Sequence, residues 1–274
     1  MKHAPNSYAA IQMTLDRFPE LKTSTENDDL FMCETSPPEV TGDIVEFCAH
    51  VGDTVPPIPI FVDVVPSPTA REGWCFANVA DRVAEAGGEP VHGWTIWGAP
   101  SLFYTAEFHV VWKTPAGKLV DVTPKQDGEE YILFLPDDRY PVGFDFMGRP
   151  NNIRTRVYGH DRRRDEVVCK MLGFSEARLA YETNKARRRG LTLPQSIGMR
   201  LGSRDRLERL IDKFLEDVGI LESMLMPTPQ GMECKDPRRS AEFRRRAADV
   251  LRQKNKLFLT VDLLVRGAKP HPGA

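Results

Sequence analysis

Long apolar runs are missing from this 274-residue chain. No stretch approaches the ~20 consecutive apolar residues that a bilayer-spanning helix needs. The opening segment, MKHAPNSYAAIQMTLDRFPEL, lacks the apolar centre of a secretory leader. A soluble, cytoplasmic protein with no membrane partner is therefore expected. Cysteine is scarce: five residues, at 33, 48, 75, 169 and 234, an odd number scattered along the chain. That excludes a disulfide framework and points to reduced thiols. Cys48 and His50 stand close together, but no CxxC or HxxxH pair accompanies them, so neither zinc nor another metal is expected. Internal repeats and low-complexity tracts are also lacking.

Proline, at 22 residues, is plentiful and marks many loops and extended segments. Charge is unevenly placed. Residues 1–160 hold 12 Lys and Arg against 23 Asp and Glu, whereas residues 161–274 hold 25 against 16. The division predicts two regions that attract each other or serve different partners. Its basic part contains three RRR runs, Arg162–Arg164, Arg187–Arg189 and Arg244–Arg246. Aromatic residues are sparse there and acids are interleaved. A solvated or docked helical surface is favoured, with nucleic acid as the less favoured partner.

Periodicity places the elements. Ile11, Leu15 and Phe18 predict a short helix over Ser7–Phe18. The run IFVDVV (60–65), bounded by prolines, predicts an edge strand or extended lead-in. Cys75–Glu85 predicts a helix with Phe76, Val79, Ala80 and Val83 on one face, stopped by Gly87-Gly88. Strands follow at VHGWTIW (91–97), AEFHVVWK (106–113) and KLVDV (118–122), the last two joined through TPAG, and again at Tyr131–Leu135. From Asp161 the pattern turns helical. Leu207, Leu210, Ile211, Phe214, Leu215 and Val218 define an amphipathic helix capped by Ser203, and a last helical run covers Pro237–Leu264. The fold class expected is α+β, a helix packed on an antiparallel sheet. The division expected is a core region over 1–160 and a basic helical region over 161–274.

Cys75, His109 and Asp121 occur in the order of a thiol nucleophile, its base and the group that orients the base. The thiolate is the reactive form, and both a helix N-terminus and a nearby imidazolium favour it. A carboxylate on the strand beside that of His109 would fix the imidazole tautomer. Taken singly, each has a structural alternative: a small buried hydrophobe, a satisfied core histidine, a turn initiator. Trp74, Trp94 and Trp97 are candidates to wall a substrate cleft or to pack the helix on the sheet. Asn78, one helical turn from Cys75, and Glu107, two residues before His109, are candidates to support the three.

The segments GWC, GGEPVHGW, EFHVVW and GKLVDVTP, spanning about residues 72–125, resemble the core of the papain-like and transglutaminase-like superfamily. Arylamine N-acetyltransferases are similar in their Cys, His, Asp order. The resemblance implies that Cys75 is the nucleophile, His109 the base and Asp121 its partner, in a papain/transglutaminase-like core over roughly 30–150. It implies a peptidase, deamidase or acyltransferase working through a thioester on a peptide or protein, without an organic cofactor. Three departures stand in this sequence: Asp121 is followed by Val-Thr-Pro and not directly by Pro-Thr, no Gln shortly precedes Cys75, and the Arg-Gly-Gly lead-in of the N-acetyltransferases is absent. A non-catalytic binding protein of the same fold, contacting nucleic acid through its Arg-rich helices, is the alternative expectation.

Overall fold

Two strands, β2 (Glu89–Ala99) and β3 (Phe103–Lys113), form the hairpin around which the other elements assemble, in a mixed α/β fold. The computed structural model describes residues 34–52, 58–99, 102–125, 128–201, 205–228 and 231–267. The predicted helix Ser7–Phe18 lies outside them. Both hairpin strands are rich in aromatic and β-branched residues, and their register pairs Gly93 with His109 and Trp97 with Thr105. Odd-numbered side chains therefore share one face and even-numbered ones the other.

β2 also pairs with β5 (Tyr131–Pro136), β5 with β1 (Ile60–Val64), β1 with β4 (Leu119–Asp121), and β4 with β3. The sheet thus closes into a five-stranded ring, with β6 (Ile153–Arg156) added along part of β3. This corrects two expectations. The sheet is mixed, because β1 and β4 run parallel. β1 is not an edge strand, since it has a neighbour on each side. Its flanking prolines, Pro59 and Pro66, lie outside the ladder, so every N–H within Ile60–Val64 is retained.

Closure buries most of the inner face, and helices cover much of the outer one, leaving Ile60, Phe61 and Tyr131 exposed. Val62, Trp97, Val111, Ile132 and Phe134 fill the inside. Outside, α1 (Gly42–Val51) lays Ile44, Phe47, Cys48 and Val51 against Trp94, Ile96, Phe108, Leu133 and Leu135. Next to it α2 (Cys75–Ala86) packs Cys75 and Val79, with Phe76 and Val83, on Val110, Trp112, Val120 and Val122. Each such aliphatic side chain contributes roughly 1.5–3 kcal/mol by leaving water. Gly87, at φ 70°, ends α2, and its carbonyl accepts a 2.9 Å hydrogen bond from Trp112 Nε1–H.

Gly93 has no room for a side chain. A β-carbon there would stand 2.2 Å from the Leu135 carbonyl oxygen and 2.7 Å from the Phe134 ring. Gly93→Ala is expected to cost roughly 1–3 kcal/mol, the usual penalty of overpacking. Urea denaturation reads it as a lower midpoint at unchanged slope; an unchanged midpoint would show that β2 and β5 can part without cost.

The second half is helical: α3 (His160–Leu172), α4 (Glu176–Arg187), α5 (Leu193–Leu201), α6 (Arg206–Ser223) and α7 (Ser240–Gly267). A two-stranded ribbon, β7 (Leu225–Thr228) with β8 (Gly231–Cys234), joins the last two. Asp205 caps α6, its Oδ1 accepting from Leu207 N–H at 2.6 Å; Ser203, the expected cap, lies outside the described residues. α6 and α7 share a core with Ala99, Leu102 and Phe103 at the tip of the β2–β3 hairpin.

Charges meet at that junction in the opposite sense to the halves' totals. Arg154 and Arg156 of β6 reach Glu222 and Asp212 of α6, each at 2.7 Å. Arg162 and Arg163 converge on Glu208 of α6, and Arg178 and Arg200 on the fully buried Glu182. Among the described residues no helix is long and apolar enough to cross a membrane.

Candidate active site

β3 changes partner along its length. It pairs with β6 through Ala106 and with β4 from Trp112 onward. Between them, residues 107–111 have a strand neighbour only on the β2 side among the described residues. Phe108 N–H, in this gap, turns to Asn152 Oδ1 at 3.4 Å. His109 sits in the middle of the gap.

Parity sends the His109 ring to the inner face, where Asp121 arrives from the end of β4. His109 Nε2–H donates to Asp121 Oδ2 at 2.9 Å, with side-chain exposures of 8% and 0%. Asp121 Oδ1 accepts from Thr123 N–H, also at 2.9 Å. Nδ1 has no hydrogen-bond partner among the described residues and is the nitrogen left for chemistry.

Cys75 is the first residue of α2, at the end where backbone N–H groups are unpaired. Asn78, one turn on, ties this end down. Its Nδ2–H groups donate to Arg71 carbonyl at 2.7 Å and to Thr123 Oγ1 at 3.1 Å, and its Oδ1 accepts from Arg71 N–H at 2.9 Å. A continuous path therefore runs from the first turn of α2 through Thr123 and Asp121 to the imidazole. Cys75 packs with Val110 and Val122 of the outer face. No hydrogen bond joins it to the His109 ring on the inner face, and the two are coupled only through charge.

The electrostatics follow from burial and pairing. Burial by itself pushes the His109 imidazolium down, but the Asp121 charge, its hydrogen bond and the negative charge of Cys75 outweigh it. His109 is raised to about 9, against a downward pull from Lys125. Burial likewise pushes Asp121 up, and the Lys125 and His109 charges overcome that and hold it well below the usual carboxylate range.

Lys125 escaped sequence reading. Its Nζ lies 2.6 Å from Asp121 Oδ2, and its side chain is only 6% exposed. A lysine after a turn-like Val-Thr-Pro reads as solvated surface, so only the i, i+4 spacing from Asp121 pointed to it. Glu107 shares the inner face with His109. Its Oε2 accepts from Trp97 Nε1–H at 2.8 Å, and burial raises its carboxyl above the ordinary value. Trp97 is thus brought beside the pair, with Lys125 Nζ 5.9 Å from its ring centroid. Trp94 is on the outer face, 1% exposed, donating to Asp137 Oδ2 at 2.8 Å, and does not meet His109. Trp74 precedes Cys75 and is half-buried under the Arg71 guanidinium.

No protein-family model, curated protein or solved structure matches this chain.

Cys48 is a core residue of α1 whose thiol burial pushes up to about 12. Asp43, Glu46 and His160 bring ligand atoms within 4.8 Å of one another, but Asp43 and Glu46 are exposed. His160 Nε2 pairs with Glu46 at 3.9 Å, which accounts for the grouping.

Proposed function

We propose that this protein is a cysteine-dependent amide hydrolase or acyltransferase that acts through a thioester on a peptide or protein substrate. Within that reading, the closed sheet with α2 on its wall is a papain/transglutaminase-like core. The observation that carries it is the buried His109–Asp121 bond, tied through Thr123 and Asn78 to the helix end that bears Cys75.

With His109 raised to about 9, the imidazole is largely protonated at neutral pH and favours a thiolate at Cys75. The thiolate adds to a substrate carbonyl carbon, and the oxygen's developing charge falls at the N–H groups that open α2. His109 Nδ1 delivers its proton to the departing amine as the C–N bond breaks, leaving a thioester. Water, or a second amine, then attacks. His109 removes the incoming nucleophile's proton, and the C–S bond breaks to restore the thiolate. In the free protein the sulfur is not yet bonded to the ring; such contacts commonly tighten only with substrate.

The nucleic-acid alternative rests on the arginine runs. Pairing of Arg162 and Arg163 with Glu208 supports a structural role for the first of them.

A chloroacetamide probe tests the proposal. Cys75 is expected to be alkylated faster than the exposed Cys169, although only 9% of Cys75 is exposed. Peptide mapping at partial labelling reads the order. Equal rates at all thiols, or Cys169 first, would remove the catalytic reading.

A further inference from the structure

We infer that Lys125 is a positioning residue of this site: by neutralising Asp121 from inside the ring, it leaves the His109 charge free to balance a thiolate at Cys75. The inference rests on the acyl-transfer reading above.

The geometry is specific. Asp121 Oδ2 receives two donors, His109 Nε2–H at 2.9 Å and Lys125 Nζ at 2.6 Å, while Oδ1 is taken by Thr123 N–H. Orienting an imidazole needs only the first of these bonds. Withdrawing an ammonium from water costs several kcal/mol, and a lysine on a four-carbon stem ordinarily keeps its head in solvent. Here the head is turned inward instead.

The charges that face it explain the arrangement. Cys75 comes from α2, Glu107 and His109 from β3, and Asp121 from the end of β4. Arg149 lies farther out and acts on Glu107. Without Lys125, an ionised Asp121 and a protonated His109 cancel, and a thiolate at Cys75 is left uncompensated in an enclosed site. With it, Asp121 pairs with Lys125 and Cys75 with His109, while Glu107 accepts from Trp97 Nε1–H and faces Arg149 as a further cation. Asp121 keeps its orienting bond without consuming the imidazolium charge. The mutual effects agree: Cys75 and Asp121 both favour the charged form of Lys125, and Lys125 draws His109 downward.

The test is the rate of Cys75 alkylation by iodoacetamide across pH 5–10 in the full chain. The variants are Lys125→Met, Lys125→Gln and Lys125→Arg, with His109 followed by NMR titration. Lys125→Met is expected to slow Cys75 labelling at pH 7 about tenfold, one unit of ionisation. The same change should move the His109 midpoint upward, because a neighbouring cation has gone, and Lys125→Arg should restore both. Lys125→Gln repeats the neutral change with a polar head should Met not fold. A folded neutral variant with wild-type labelling and an unmoved His109 midpoint overturns the role of Lys125 while leaving Cys75 a nucleophile. Slow labelling of Cys75 in the wild-type chain overturns the acyl-transfer reading and this inference with it.

Discussion

At pH 7, His109→Ala is expected to slow alkylation of Cys75 roughly thirtyfold. The variant loses the imidazolium that favours the thiolate, and a free thiol with pKa about 8.5 is only ~3% thiolate at that pH. The pH dependence makes the result specific. In the wild-type protein the reactive pair needs His109 protonated, so its advantage persists up to about pH 9 and then fades. In the variant that advantage is absent, and the two curves converge at alkaline pH. A uniform loss at every pH would instead show that His109→Ala had closed or distorted access to the sulfur.

Asp121→Ala is expected to be the most destabilising change at the site. It leaves His109 and Lys125, both enclosed, without the carboxylate they share. Breaking a buried pair from one side typically costs about 3–5 kcal/mol. The pH dependence has a definite sign. His109 is raised in the folded state to about 9, so its stabilisation is complete below the unfolded value near 6.5 and is lost as pH rises through 9. The shift corresponds to roughly 3 kcal/mol. Asp121 is depressed, so its share is present above the ordinary value near 4 and disappears only in stronger acid. Denaturant midpoints from pH 6 to 10 should therefore fall in the wild type and stay nearly level in Asp121→Ala. Parallel curves would mean that the His109–Asp121 bond contributes nothing to folding.

Much of this site was legible because local rules agree with the tertiary outcome. Cys75 opens a helix because Phe76, Val79 and Val83 repeat on one face and Gly87 stops it. His109 was expected to point away from Phe108 and Val110, and alternation puts it there. That this opposite face is itself enclosed depends on closure between β2 and β5, a pairing across more than thirty residues that no local pattern announces. β6, with the sequence IRTR, has no apolar alternation. It is a strand because β3 offers it an edge and α6 offers carboxylates to its arginines. Pro194 and Gly198 give the sequence of α5 the look of a loop, but Pro194 sits in the first turn, where a missing N–H costs nothing. α1 was overlooked for a different reason. Ile44, Phe47, Cys48 and Val51 have clear helical spacing behind the Thr41 cap, but the prolines on either side give the region the composition of extended chain.

Ring closure also bears on the order in which the protein is made. Cys75, His109 and Asp121 all precede β5 in the chain and emerge from the ribosome before Pro136 does. Until then β2 has only β3 beside it, β1 only β4, and the inner face carrying His109 is open to water. Low dielectric is what lets Asp121 hold the imidazolium so strongly, so in the nascent chain His109 and Asp121 lack their shifted acidities. On this account the thiol gains its reactivity at a late, topologically defined moment of folding, when one strand shuts the ring.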